Sequence, residues 1–406
     1  MYFCTVVFDN SLKMNTIYNP FVVKGRIPDE YFCDRVAETE KLTRELMNGN
    51  DVVVMSSRRL GKTGLIQHCF DQPVVAERYY TFFVDILETS SLRDFTYLLS
   101  RNIFEELKPL GSKFTSAFVQ TLKSLQAGWG YDPATGLPKF TFSLGAITEP
   151  EVTLNEIFTL IENADKRCLV AIDEFQQIAK YPEKNIEAIL RGHIQHLSNC
   201  DFIFAGSERH LLAEMFASYG RPFYNSTSTL NLNPILKENY VEFVLNNFQK
   251  FQKSIREEDA GEIYDLYAGN TFCLQKTFNV AFDLTQKGGV CSKETLQQSV
   301  EEILDDKERD FQNILSHITE RPKELLVAIA IDGNVDSLTS NSFIRKHKLQ
   351  SASSVQSAVK QLLQDDLITF SLNEKGKRRY QVADPFLRLW LKRSFGDGTD
   401  IHHAGH

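Results

Sequence analysis

The chain has 406 residues, 42% of them hydrophobic and 24% charged, and a net charge of −8. That composition fits a globular protein of two or three domains and excludes a low-complexity chain. No uninterrupted apolar run approaches the roughly 20 residues that span a bilayer, so a membrane is not an expected partner.

The charge is unevenly spread. Residues 321–395 hold 13 Lys and Arg against 7 Asp and Glu, so an acidic body carries a basic C-terminal module. Such asymmetry suits an anionic partner, or docking of the module onto the acidic body. The opening "MYFCTVVFDNSLKMNTIYNPF" lacks the basic region and long apolar stretch of a secretory signal. Met14 is an alternative start, and residues 1–16 are assigned to an N-terminal extension. Seven cysteines, at 4, 33, 69, 168, 200, 273 and 291, are odd in number and form no C-x-x-C pair. They point to a reducing cytoplasm rather than to a disulfide framework or a zinc site. His402, His403 and His406 fall in the tail 396–406 and read as a terminus, not as metal ligands.

From residue 51 to 232, strand-length apolar runs alternate with helix-periodic segments, the pattern of an α/β fold with a parallel sheet flanked by helices. The strands are "DVVVM" (51–55), "YYTFFVDI" (79–86), "CLVAID" (168–173), "DFIFAG" (201–206) and "STLNL" (228–232). A Gly-, Pro- and Asp-rich insertion separates the second from the third, with "KFTFSL" as a short hairpin strand. Together these make a core over 17–233. Helical patterns then run through residue 318, giving a small helical domain over 234–318. From Pro322 come three helices, "PKELLVAIAI", "SNSFIRKHK" and "SSVQSAVKQLLQDD". They are followed by "LITFSL", the turn "NEKGK" and "RRYQVAD", a winged helix-turn-helix over 319–395.

Three strand ends carry chemistry. In "VVVMSSRRLGKTGLI" (52–66) a buried strand enters a loop, and Lys62 and Thr63 open an amphipathic helix. A phosphate-binding loop needs backbone N–H groups around the β-phosphate at a helix N-terminus, a lysine on the β/γ oxygens and a hydroxyl on Mg²⁺. The loop residues Ser57, Arg58, Arg59, Leu60, Gly61, Lys62, Thr63 and Gly64 are therefore candidates for binding the nucleotide. Gly61 lets the backbone come close. Ser56 stands where the phosphate-loop pattern asks for its first glycine, a conformational role that serine fills if its φ stays negative. In "RCLVAIDEFQQI" four apolar residues end in Asp173 and Glu174. The first is a candidate for holding Mg²⁺ with Thr63, and the second for polarising the attacking water. "DFIFAGSERHLL" is another buried strand ending in small polar residues, from which Ser207 either reaches the γ-phosphate and the lytic water or N-caps the following helix.

The loop "SSRRLGKTGL" is similar to the "PRRVGKTSL"-like loop of the archaeal-type ATPases, a branch of the AAA+/STAND P-loop NTPases. The similarity extends to "NPFVVKGRIPDEYFCDRVAETEKL", "AIDEFQQI", "FIFAGSERHLLAEMF" and "YQVADPFLRLWLKR", and covers residues 17–393. The resemblance implies a sheet of order 5-1-4-3-2, ATP with Mg²⁺ as ligand, and the helical segment as a lid over the nucleotide. It implies adenine or ribose contacts from Tyr31, Phe32 and Arg35, and a lining role for Asp85. Arg221 falls where such proteins carry an arginine finger directed at a neighbour's γ-phosphate; a surface arginine or a structural partner for an acid is the other reading. The lid turn "YAGNTFCLQK" departs from the family's "GG-x-P", which leaves Lys276 as a phosphate sensor in question.

The winged helix offers Ser353, Ser354, Gln356 and Lys360 on its recognition helix and Lys375, Lys377, Arg378 and Arg379 on its wing. Cations on a wing can meet phosphates of duplex DNA; in STAND-type proteins such a domain packs on the core instead. The intact Glu174 favours a Mg²⁺-dependent ATPase whose nucleotide state moves the lid and winged helix. The alternatives are a nucleotide switch with little turnover, released by a partner protein or a second copy, and a DNA-binding regulator with the nucleotide as a structural ligand.

Overall fold

The computed structural model describes residues 19–107, 117–118, 120–124, 129–131, 138–140, 147–373 and 376–396. Met14, Lys375, the tail histidines and most of the insertion lie outside them; of "KFTFSL" only the first two residues are described, within the hairpin strand Pro138–Phe140 that pairs with Trp129–Tyr131. The chain forms two compact units. One is Lys24–Leu236, and the other joins Lys237–His406 with the chain up to Val23.

The first unit is built on five parallel strands: β1 (Val52–Ser56), β2 (Tyr79–Asp85), β3 (Arg167–Asp173), β4 (Cys200–Gly206) and β5 (Ser228–Leu232). Their spatial order is β2-β3-β4-β1-β5, which is the expected 5-1-4-3-2. Alternate residues of each strand serve opposite faces. Val53, Val84, Val170, Phe202 and Phe204 pack with helices Leu92–Leu107 and Pro150–Glu162 on one face. Val54, Leu169, Ala171, Ile203 and Leu230 pack with helices Val36–Met47 and Lys62–Asp71 on the other. A sheet buried on both faces demands near-continuous apolar strands, which is why the runs were visible in the sequence.

The second unit contains helices Lys237–Lys250, Glu257–Leu266, Thr271–Leu284, Lys293–Asp306 and Glu308–Ser316, then the winged helix. The latter has helices Glu320–Asp332, Asn341–Lys346 and Ala352–Gln364 and the hairpin of β6 (Ile368–Leu372) and β7 (Arg378–Val382). A further helix, Pro385–Phe395, was not foreseen. Its start is encoded locally: the Asp384 carboxylate accepts from Phe386 N–H at 2.9 Å and proline stands at the first helical position. This helix ties the winged helix to the helical segment. Phe386 packs edge-on against Tyr267 at 5.4 Å, Arg388 donates to the Leu266 carbonyl at 2.6 Å, and Arg393 reaches Glu301 and Asp305. The segment at Asn19 belongs here too. Phe21 is fully buried among Phe243, Phe248, Phe278 and Phe282, and Asn19 and Asn279 exchange side-chain hydrogen bonds with backbone carbonyls.

At the N-terminal edge of the sheet, Asp51 accepts from Phe202 N–H at 2.8 Å, and its own carbonyl accepts from Ser228 N–H. Burial pushes the Asp51 carboxyl up to about 6, against the stabilising effect of the Phe202 hydrogen bond. A carboxyl raised in the folded state is costly only once it ionises: the cost is absent below the unfolded pKa near 4, grows between 4 and 6, and is complete above 6. Asp51→Asn keeps an acceptor for Phe202, so it is expected to stabilise the chain by about 2 kcal/mol at pH 7.5 and by much less at pH 4.5. Urea melts at the two pH values check this; an equal gain at both would show that ionisation of Asp51 is not the cost.

Candidate nucleotide site

The parallel register brings the C-terminal ends of β1, β3 and β4 to one edge. Because β4 lies between β1 and β3, Ser207 stands between the Lys62 loop and the Asp173–Glu174 pair. Lys62 opens helix Lys62–Asp71 and is 7% exposed; its Nζ lies 2.5 Å from Asp173 Oδ1 and 2.9 Å from Glu174 Oε1. Thr63 Oγ1 donates to Asp173 Oδ2 at 2.9 Å. Glu174 N–H closes onto Asp173 Oδ1 at 2.8 Å. On Glu174 Oε2 three donors converge: Gln176 Nε2 at 2.5 Å, Ser207 Oγ at 2.8 Å and Ser207 N–H at 3.3 Å.

Two backbone features shape this cluster. Gly61, the N-cap of the Lys62 helix, has φ 86°, a conformation natural to glycine, and no side chain caps the first-turn amides. Ser56 is the buried last residue of β1 and is not among the positive-φ residues; in the loop that conformation falls on Arg59 and Gly61. The substitution for glycine at 56 is therefore met by ordinary strand backbone. Glu174 itself has φ 55°, left-handed for a non-glycine residue, at a cost on the order of 1 kcal/mol. The turn is held by the next residue: Phe175 is fully buried, 4.6 Å from the Phe204 ring and 5.4 Å from Phe223.

Burial pushes the Glu174 carboxyl up, but the Lys62 ammonium and the hydrogen bonds from Gln176, Lys62 and Ser207 outweigh it and hold the group below its ordinary range. Asp85, at the end of β2, is raised, first by burial, while its Oδ1 accepts from Leu87 N–H; Asp173 and Glu174 add to the rise.

The other sequence candidates lie around this cluster. Ser57, Arg58 and Arg59 are exposed, and Leu60 is buried. The Leu60 carbonyl accepts from Arg35 at 3.0 Å, and Arg35, itself 3% exposed, also pairs with Glu38 at 2.7 Å. Arg35 thus braces the loop from the start of helix Val36–Met47. Tyr31 is buried, and Phe32 stacks on His68 at 4.0 Å beside Gly64. Arg221 does not join the cluster: Nη2 meets Glu187 Oε1 at 2.5 Å and Nη1 meets Glu214 Oε1 at 3.6 Å. Lys276 is on helix Thr271–Leu284 of the other unit. Gln176 and the bracing by Arg35 were missed from sequence. The spacing of Gln176, two residues after Glu174 across a left-handed turn, signals nothing until the fold is known.

The donor set fits a Mg²⁺-bound nucleotide. Two carboxylates face one ammonium, leaving a surplus negative charge that a divalent cation would offset, and the helix N-terminus at Gly61, without a side-chain cap from that residue, suits an anion. Among the described residues no group of three or more His, Cys, Asp and Glu is gathered as a metal cage. Mg²⁺ is usually held by one or two carboxylates plus phosphate oxygens; Thr63 and Asp173, joined at 2.9 Å, are the residues that would hold it.

A family model described as an ATPase domain predominantly from Archaea matches residues 32–277, and one described as a probable winged helix domain matches residues 309–393. A search of curated protein sequences gave no match. Among solved structures, the chain is similar to a Walker-type ATPase of Pyrococcus abyssi, with a TM-score of 0.63 and 20% identity over 92% of this chain and 99% of that one. It is also similar to the ORC2 protein of Aeropyrum pernix, solved as ADPNP-ADP complexes, with a TM-score of 0.54 and 12% identity over 93% and 98% of the two chains. At these identities the likeness bears on the fold.

Replacing Lys62 leaves Asp173 and Glu174 side by side without their cation. Lys62→Ala is expected to lower affinity for a fluorescent ATP analogue about a hundredfold or more, and to cost the nucleotide-free chain about 3 kcal/mol in a urea melt. Unchanged nucleotide affinity would show that Lys62 does not meet phosphate.

Proposed function

The chain belongs to the family of ATPase domains found predominantly in Archaea, and from that premise we propose that Lys62, Thr63, Asp173, Glu174 and Ser207 form the site of a Mg²⁺-dependent ATPase. In this reading nucleotide state governs the placement of the helical and winged-helix unit. The observation that carries it is the arrangement of Lys62 and Ser207 about Glu174: among the described residues Glu174 Oε1 is held by the lysine and Oε2 by the serine and Gln176.

Lys62 would leave the carboxylates for the β/γ-phosphate oxygens, since those carry more charge than the pair it now bridges. Its departure exposes Glu174 Oε1, which takes the proton of the attacking water. The Ser207 hydroxyl, 2.8 Å from Oε2, stands at the same edge and can orient that water or the γ-phosphate. Bound Mg²⁺ would offset the charge that gathers on the phosphate oxygens. Phe32, stacked on His68, offers a flat apolar surface to an adenine, and Tyr31 and Arg35 support that segment from within. Arg221, paired with Glu187 and Glu214, acts within its own chain in this state. Any role as a finger toward a second copy requires those pairs to open. The helical and winged-helix parts travel as one body, since helix Pro385–Phe395 joins them.

Glu174→Gln keeps the shape of the site and removes the base. Phosphate release is expected to fall about a hundredfold or more with ATP affinity held within a few-fold. Equal rates for the two proteins would overturn the hydrolytic reading in favour of a switch that binds without turning over.

A second reading, duplex DNA as a partner, draws on the exposed face of helix Ala352–Gln364. Ser353, Gln356 and Lys360 are exposed there, as are Lys377 and Arg378 on the wing. Arg379 is engaged by Asp336 at 2.6 Å and Arg378 lies over the Phe370 ring, so Lys377 and Lys360 are the stronger phosphate candidates. Binding of a labelled duplex should weaken with salt, and Lys360→Ala with Lys377→Ala should lower the slope of log affinity against log salt by about 2. Absence of salt-dependent binding by the unaltered chain would remove DNA from the account.

A further inference from the structure

We infer that Gln176 is a positioning residue that divides the labour of the Glu174 carboxylate, anchoring Oε2 so that Oε1 is the atom that receives the proton. The inference rests on the ATPase reading above and assigns an atom within it. Gln176 is 2% exposed and lies two residues beyond Glu174, in the short 3-10 turn Phe175–Lys180. Its Nε2 donates to Oε2 at 2.5 Å, while its Oε1 is buried and meets no hydrogen-bond donor among the described residues. A buried amide whose acceptor lacks a protein partner gives up free energy, and the charged hydrogen bond from its Nε2 to Glu174 offsets that cost. Reversing the carboxamide would set oxygen against carboxylate, so the orientation follows from the charge.

Two more observations converge on the same contact. A Cβ at Gly206, the last residue of β4, would fall 2.0 Å from Gln176 Oε1, 3.1 Å from its Cδ and 2.8 Å from Leu212 Cδ1. Glycine there leaves room for the carboxamide, although its backbone is not in the left-handed region. Glu174 is also left-handed, and that turn directs the side chain toward Ser207 and Gln176. With Oε2 held by Gln176 and by Ser207 Oγ and N–H, the carboxylate cannot rotate freely about its last bond when Lys62 leaves Oε1. The water then gives its proton to Oε1 and its oxygen bonds to the γ-phosphorus. The electron pair of the broken P–O bond stays on the departing β-phosphate oxygen. Without the anchor, the carboxylate would sample rotamers in which neither oxygen faces the water, which lowers turnover with little change in binding.

Gln176→Met keeps length and volume and removes the donor. Three measurements test the inference on the full chain: turnover, affinity for a fluorescent ATP analogue, and Tm of the nucleotide-free protein. The expected result is a turnover loss of about tenfold to a hundredfold with affinity within twofold. The same substitution in a Glu174→Ala background should cause no further loss of turnover, and the two Tm shifts without nucleotide should be non-additive. Gly206→Ala should reproduce the turnover loss by displacing the carboxamide. Turnover within twofold of the unaltered chain would overturn the inference, as would a rise, which would make Gln176 a restraint on Glu174. Parallel losses of affinity and Tm would reduce Gln176 to a packing residue, and additive Tm shifts would deny the contact itself. No turnover by the unaltered chain sinks the ATPase reading and the proton step with it, while the melts still decide whether Gln176 holds Glu174.

Discussion

Everything at the candidate site depends on the order of the five strands. In a parallel sheet all C-terminal ends lie on one edge, but only neighbours share side chains. Placing β4 between β1 and β3 puts Ser207 in reach of a glutamate that leaves the adjacent strand, with the lysine of the loop after β1 on the other side. Residues 62, 174 and 207 are then held by three different connections, each tied to a sheet buried on both faces. A shift of one residue in any of these strands would exchange the side chains packed into the two cores and disrupt both, so the sheet resists it.

The electrostatics follow from that geometry. A lysine 7% exposed is tolerable only because two carboxylates surround it, and the surplus negative charge is tolerable because donors from Thr63, Ser207 and Gln176 are spent on it. The left-handed backbone at Glu174 adds local strain, and the fully buried Phe175, packed on Phe204 and Phe223, supplies the packing energy that holds it. Strain, charge and a buried carbonyl oxygen on Gln176 that meets no donor among the described residues lie within one short turn. Such a concentration is expected where a site must change partners rather than rest in its most stable arrangement.

The second unit obeys a different logic. Its helical segment and winged helix are joined by aromatic packing and by arginine contacts from helix Pro385–Phe395. The segment 19–23 packs there too, with Phe21 in a pocket of four phenylalanines, before the chain enters the sheet unit at Lys24. "NPF" reads in sequence as a lead-in to the nucleotide loop; in the fold it is an anchor for helices more than 200 residues later.

By itself the sequence determined what local pattern and composition can encode. The five apolar runs were legible because a sheet covered on both faces needs them. The loop at Lys62 was legible because backbone wrapped on phosphate requires glycine, lysine and threonine in close succession, and the winged helix because its caps and turn are local. Tertiary structure alone decided the rest. Arg35, expected near a base or ribose, also donates to the Leu60 carbonyl, and Arg221 pairs within the chain because two helices present Glu187 and Glu214 to it. Gln176 drew no notice in "IDEFQQI", since its partner is set by a positive-φ turn and its space by the absence of a side chain at Gly206. Hydrogen bonds between distant residues carry no periodicity, so they appear only when packing brings the strand ends together.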